Sequence, residues 1–281
     1  PSFYLRFMIT KISDPFAVMN RGRSVYDLHA HILPGVDDGP KTAQDTLEMA
    51  RVAVEDGTQV LLATPHRKDI TEDSSVEYVR RLIDEISGLF QAEGIELTLL
   101  LGMENHLDLD LPEAISDGRA LSMNGSRYIL VELPFFGRPN YLEDALFKIQ
   151  VQGFTPVLAH PERIEAFQQD HDLLARFVQN GMLSQITGDS ILGHFGKDVR
   201  RFTRTLLRGG LVHIIASDTH FATGHRSPKL RHCVQAAADI VGPERAQAMV
   251  LDTPRAIVEN LPVEVDSPLT VGKSRRWWRF W

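Results

Sequence analysis

The chain has 281 residues, 43% hydrophobic and 24% charged, with a formal net charge of −7. That length fits one large domain or two, and the composition excludes a largely disordered chain. No apolar run approaches the roughly 18 residues of a spanning helix, the single cysteine, Cys233, excludes an internal disulfide, and the acidic balance disfavours nucleic acid as a partner.

Residues 1–24 are expected to be an N-terminal extension. They mix Phe3, Tyr4, Phe7 and Ile9 with Arg6, Lys11, Arg21 and Arg23, without the continuous apolar stretch of a secretory signal. From residue 25 short β-branched runs alternate with helical patterns. Strands are predicted over 25–29, 58–63, 96–101, 127–133, 154–159, 182–187 and 211–216. Helices are predicted over 42–56, 75–93, 140–152, 171–180 and 228–241. Thr42 with Asp45 forms a capping-box start for the first, and Val79, Leu82, Ile86 and Leu89 give the second its apolar face. Continuous apolar strands alternating with helices point to a parallel α/β sheet. A distorted seven-stranded (β/α) barrel fits better than an open sheet, because nearly every strand ends in His, Asp or Glu and a barrel converges those ends on one face.

Those ends carry the chemistry. The first gives His29-Ala30-His31, whose alternation places both imidazoles on one side. Taken alone, such a pair is more often two polar residues leaving a strand, and the Asp37-Asp38-Gly39 that follows is more often a turn. Next come His66, Glu104 after Gly102-Met103, and Glu132 inside Ile129-Leu130-Val131-Glu132-Leu133. A carboxylate in so apolar a strand needs a cation if buried, at a cost of several kcal/mol otherwise. His160-Pro161-Glu162-Arg163 and Ser217-Asp218-Thr219-His220 complete the set. Metal-type ligands at so many strand ends predict a metal site at the C-terminal ends of the strands.

The stretch DLHAHILPGVDDGPKTAQDTLEMARVAVEDGTQVLLATPHRKD, followed by GMENH, VELPF, LAHPERIEAF and ASDTH, resembles the polymerase-and-histidinol-phosphatase superfamily. Within it, the chain is most similar to bacterial capsule and exopolysaccharide tyrosine-protein phosphatases. The resemblance spans residues 25–262 and implies a metallophosphatase domain there, holding three divalent ions, manganese first, with iron, zinc or cobalt as alternatives. It implies that His29, His31, Glu104 and Asp218 hold one ion. Glu104, Glu132 and His160 would hold the second, and Asp38, His66 and His220 the third. Arg163 and Arg226 match the phosphate-binding arginines, with Arg67 a weaker candidate. The implied reaction is hydrolysis of phosphotyrosine by metal-bound hydroxide, on a bacterial tyrosine autokinase of capsule or exopolysaccharide synthesis, in the cytoplasm. A small-molecule phosphatase of the same superfamily, acting for instance on histidinol phosphate, and a non-catalytic scaffold on a membrane assembly are the alternatives.

Two motifs are decoys. His232-Cys233 begins like a thiol-phosphatase signature, but Asp239 stands where its arginine belongs; Cys233 is expected to be a core residue. Val271-Gly272-Lys273-Ser274 resembles the end of a nucleotide-binding loop but has Ser267 at the first glycine position. His106 is expected at the surface, and His225, a weaker candidate for a general acid, precedes Arg226. Residues 263–281 form a linker and tail. Lys273, Arg275, Arg276 and Arg279 sit beside Trp277, Trp278, Phe280 and Trp281, a composition suited to peripheral contact with an anionic membrane or to packing on protein.

Overall fold

The computed structural model describes residues 24–70 and 75–264. The N-terminal extension up to residue 23 and the basic aromatic tail lie outside the described residues. Eight strands occur among those described: β1 Val25–Ala30, β2 Thr58–Ala63, β3 Thr98–Leu101, β4 Asn105–His106, β5 Tyr128–Glu132, β6 Thr155–Ala159, β7 Leu183–Thr187 and β8 Ile214–Ala216. All pair in parallel, β1-β2-β3 in one sheet and β4-β5-β6-β7-β8 in the other. Each of the seven predicted strands is present; the additional strand is β4.

The expectation of one seven-stranded barrel is corrected accordingly. The break falls at Gly102-Met103-Glu104, between β3 and β4. A Cβ on Gly102 would lie 3.1 Å from Leu62 Cδ2, so glycine lets the backbone press on β2 as it leaves the first sheet. Single bridges join the two sheets at their C-terminal rims, Ala30 with Thr219 and His66 with Glu104. At the first, the His31 N–H donates to Thr219 O at 2.8 Å and the Asp218 N–H to His29 O at 2.9 Å. Leu28, Leu62, Leu130, Val157, Leu183 and Ile214, drawn from both sheets, share one buried cluster, so the sheets enclose a common interior.

Helices cover the outside: α1 Ala43–Asp56, α2 Val76–Ala92, α3 Leu111–Ser116, α4 Leu142–Val151, α5 Glu165–Gln169, α6 His171–Gln179, α7 Gly188–Leu192, α8 Lys197–Arg208, α9 Arg231–Val241, α10 Pro243–Ala248 and α11 Asp252–Val258. The capping box of α1 forms as predicted, with the Asp45 N–H donating to Thr42 Oγ1 at 3.2 Å and the Thr42 N–H to Asp45 Oδ2 at 3.0 Å. On α2 the buried face is Val79, Leu82, Ile83, Ile86 and Phe90. Leu89 points outward instead of Phe90, because the helical period carries the face one position further by the last turn.

Candidate metal centre

Eight of the nine ligand candidates are buried at one locus, and the ninth, Asp38, reaches it from the solvent side. Glu104 is its hub. His160 Nε2 and His29 Nε2 lie 2.9 and 3.3 Å from its Oε1, and His66 Nδ1 and His31 Nε2 lie 2.9 and 3.4 Å from its Oε2. Asp218 Oδ1 lies 3.6 Å from His29 Nε2 and 3.7 Å from His31 Nε2. Asp38 Oδ1 approaches His220 Nε2 at 3.1 Å and His66 Nε2 at 3.5 Å, and Glu132 Oε1 lies 3.6 Å from His160 Nε2. Three groups of donor atoms lie mutually within 4.8 Å: His29, His31 and Glu104; His66, Glu104 and Glu132; and His31, Asp38, His66 and His220.

The protonation pattern suits metal ions. His29 Nδ1 lies 2.8 Å from Gln185 Oε1, and His31 Nδ1 lies 2.7 Å from Asp37 Oδ2. Both partners are acceptors, so each ring can place its Nδ1–H there and turns its Nε2 inward, the nitrogen a cation would take in place of a proton. Those two Nε2 atoms lie 3.2 Å apart, close enough to share one cation. The carboxylates make the same demand. Burial alone would lower the His31 and His66 pKa values, yet hydrogen bonds to Asp37 and Glu104 hold His31 up at about 9, and those to Asp38 and Glu104 hold His66 at about 10. Burial would likewise raise the Glu104 pKa, but the surrounding imidazoles hold it well below the usual carboxylate range. Imidazole and carboxylate without thiolate form a donor set for manganese, iron, zinc or cobalt.

Backbone geometry is unusual at this locus. Of five described non-glycine residues with positive φ, three are His160 (33°), Asp218 (52°) and Arg226 (58°). Such conformations are costly and cluster where function requires a side chain to be aimed.

Both arginine candidates converge on Asp218. Arg163 Nη1 donates to its Oδ2 at 2.6 Å and Arg226 Nη2 to its Oδ1 at 2.9 Å. Arg226 Nη2 also lies 2.6 Å from His220 Nε2. Phe135 and Phe195 flank the Arg163 guanidinium, with ring centroids at 5.1 and 4.5 Å. Arg67 is held elsewhere, on Asp108 at 2.5 Å and Asp110 at 3.2 Å, so its charge is committed away from the centre. His106 lies at the rim, 3.8 Å from Glu132 Oε2. His225 packs on His194 with ring centroids 4.4 Å apart. Cys233 is buried in α9, where burial pushes its thiol pKa up. Its Sγ would lie 2.8 Å from a Cβ on Gly188, which explains the glycine there.

Sequence reasoning missed several supporting residues. Asp37 was visible only as part of a turn, and Gln185 as a polar residue in β7. Asp27 lies fully buried in β1 and accepts hydrogen bonds from the Ser217 N–H and O–H at 2.9 and 2.5 Å, bracing the turn into Asp218. Glu162, also buried, accepts from the Thr187 N–H at 2.9 Å and the Ser190 O–H at 2.7 Å and so anchors the turn between His160 and Arg163. A carboxylate inside an apolar strand, as at Asp27, was the available signal.

Residues 25–259 match the model of the family described as capsular polysaccharide synthesis, CpsB/CapC. The chain belongs to that family. The chain is similar to the tyrosine-protein phosphatase YwqE of Bacillus subtilis, 37% identical over 194 residues, which are 69% of this chain and 76% of that protein. The tyrosine-protein phosphatase CpsB of Streptococcus pneumoniae is 26% identical over 237 residues, 83% of this chain and 97% of the relative. Crystal structures of YwqE and S. pneumoniae CpsB are described as those of unique metal-dependent tyrosine phosphatases. A chain from that work superposes with a TM-score of 0.81 at 31% identity, covering 87% of this chain and 98% of its own. The matched span, residues 25–259, covers both sheets.

Proposed function

We propose that this CpsB/CapC member is a metal-dependent protein-tyrosine phosphatase. The observation that carries this reading is the convergence of five histidines and four carboxylates, all but Asp38 buried, on one locus with two arginines at its edge. Three ions, manganese by preference, would be held by His29, His31, Glu104 and Asp218, by Glu104, Glu132 and His160, and by Asp38, His66 and His220, with Glu104 shared between two of them. Such ions supply activated water near neutral pH and offset the charge of a phosphomonoester, whose spontaneous hydrolysis is among the slowest in biology.

The chain's own residues then have distinct tasks. Arg163 and Arg226 bind the non-bridging phosphate oxygens through their forks of N–H donors. Phe135 and Phe195 hold the Arg163 plane, so its donors are oriented before substrate arrives. Gln185 and Asp37 keep the Nδ1 protons of His29 and His31 outward, leaving each Nε2 free as a donor. No protein nucleophile is required, and the buried Cys233 is unsuited to be one. The substrate is phosphotyrosine on protein, with a bacterial tyrosine autokinase of capsule or exopolysaccharide synthesis as the partner. Residues 273–281 would give peripheral contact with the inner face of the membrane; no helix among the described residues is long and apolar enough to cross one.

The test is metal content followed by phosphate release from a phosphotyrosyl peptide and from histidinol phosphate under identical conditions. Metal-dependent release mainly from the peptide is expected. Preference for histidinol phosphate would assign a small-molecule phosphatase, and inactivity on both with metal bound would assign a scaffold.

A further inference from the structure

We infer that Asp189, His194 and His225 form a second divalent-metal site, outside the strand-end centre, that ties the turn carrying Arg226 to α7. One ligand atom from each residue lies within 4.8 Å of the others. Asp189 Oδ1 and His194 Nδ1 are 3.0 Å apart, and the His194 and His225 rings are inclined at 52° with centroids 4.4 Å apart. None of the three belongs to the nine-residue locus.

Local structure brings these donors together. Asp189 sits in the first turn of α7, which ends at Gly193 in the left-handed conformation, φ 97°. The N–H groups of Gly193 and His194 both donate to Asp189 O, at 3.0 and 3.1 Å, folding His194 back over the carboxylate. His225 arrives from the turn between β8 and α9. Two imidazoles and one carboxylate, open to solvent on the histidine side, leave room for water to complete a tetrahedral or larger shell. That donor set suits a borderline ion such as zinc.

Asp189 divides its two oxygens in a way that gives the site a consequence. Oδ1 faces His194, while Oδ2 accepts the Arg226 backbone N–H at 2.8 Å. An ion on Oδ1, His194 and His225 would therefore close a loop through the carboxylate to the backbone of Arg226, which is held at φ 58°. Its guanidinium reaches Asp218 and His220 from the same turn. The ion would act as a clamp on that turn. Binding here does not depend on the phosphatase reading.

The experiment uses the full chain with its strand-end centre loaded with manganese, titrated with Zn2+ by calorimetry, then desalted and both metals counted. The wild type is expected to retain one zinc beyond its manganese. His194→Ala and His225→Ala should each weaken that binding by about tenfold or more, and the double variant should abolish it, with manganese content unchanged. Circular dichroism checks that these exposed-ring variants fold. Hydrogen exchange over residues 221–228 should slow with zinc in the wild type only. Equal zinc uptake by wild type and double variant, or zinc gained only as manganese is lost, would overturn the site. Zinc bound without slowed exchange would overturn the clamp.

Discussion

Asp37 Oδ2 accepts from His31 Nδ1 at 2.7 Å and from the His66 backbone N–H at 3.2 Å. One carboxylate thus orients two donors that arrive from different strands. Asp37→Ala should weaken metal retention and activity by roughly 10–100-fold, the usual cost of removing such a support. Competition with a chelator measures the first and phosphate release the second. Wild-type retention in Asp37→Ala would show that His31 is oriented by its neighbours alone.

Chelation should abolish hydrolysis, and added Mn2+ should restore it, whereas Cys233→Ser should leave activity near the wild-type level. Burial raises the Cys233 thiol pKa, and the Asp189, Asp56 and Asp27 carboxylates raise it further. The thiolate is therefore scarce at neutral pH and becomes more common only as pH rises past that elevated value. Iodoacetamide should label the folded protein slowly even at mildly alkaline pH and label it readily after denaturation. Fast labelling of folded protein, with matching loss of activity, would contradict the buried position.

Arg163→Ala and Arg226→Ala should each lower kcat/KM by at least about tenfold, or about 1.4 kcal/mol. Both side chains hydrogen-bond Asp218, so metal content must be measured alongside. Retained metal with lost activity supports phosphate binding. Lost metal would make these arginines supports of Asp218 instead.

Phe195→Leu removes one face of the Arg163 stack while keeping a bulky apolar side chain. The contact belongs to a class worth about 0.5–2 kcal/mol, so a few-fold rise in KM for an aryl phosphate is expected, with kcat changed less. An unchanged KM would mean that Phe135 and Asp218 are sufficient to orient the guanidinium.

Residues 273–281 should give weak, salt-sensitive attachment to anionic vesicles, since basic residues near such a surface contribute on the order of 1 kcal/mol each. Co-sedimentation compares the full chain with one ending at Gly272. Equal partitioning at low salt would leave the tail as a packing or assembly element.

Apart from Asp38, the residues that meet at this locus were legible from the chain as strand-end candidates, because a strand alternates with period two and a parallel α/β fold brings strand ends to one side. His29-Ala30-His31, His66, Glu104, His160 and Asp218-Thr219-His220 each follow a short apolar run, and Glu132 stands inside one. The capping box of α1 was legible for the same reason, since its partners are three residues apart. The supports were not. Gln185 is 156 residues from His29 and Asp27 is 190 from Ser217; nothing local marks such pairs. The split into three and five strands falls at Gly102, which packs on Leu62, and Arg67 is claimed by Asp108 and Asp110, 41 and 43 residues further along the chain. Periodicity is a property of neighbours along the chain, and it reveals which residues leave a strand. Orientation, pairing and the final direction of a charge are settled by atoms that meet only after the two sheets close on their shared interior.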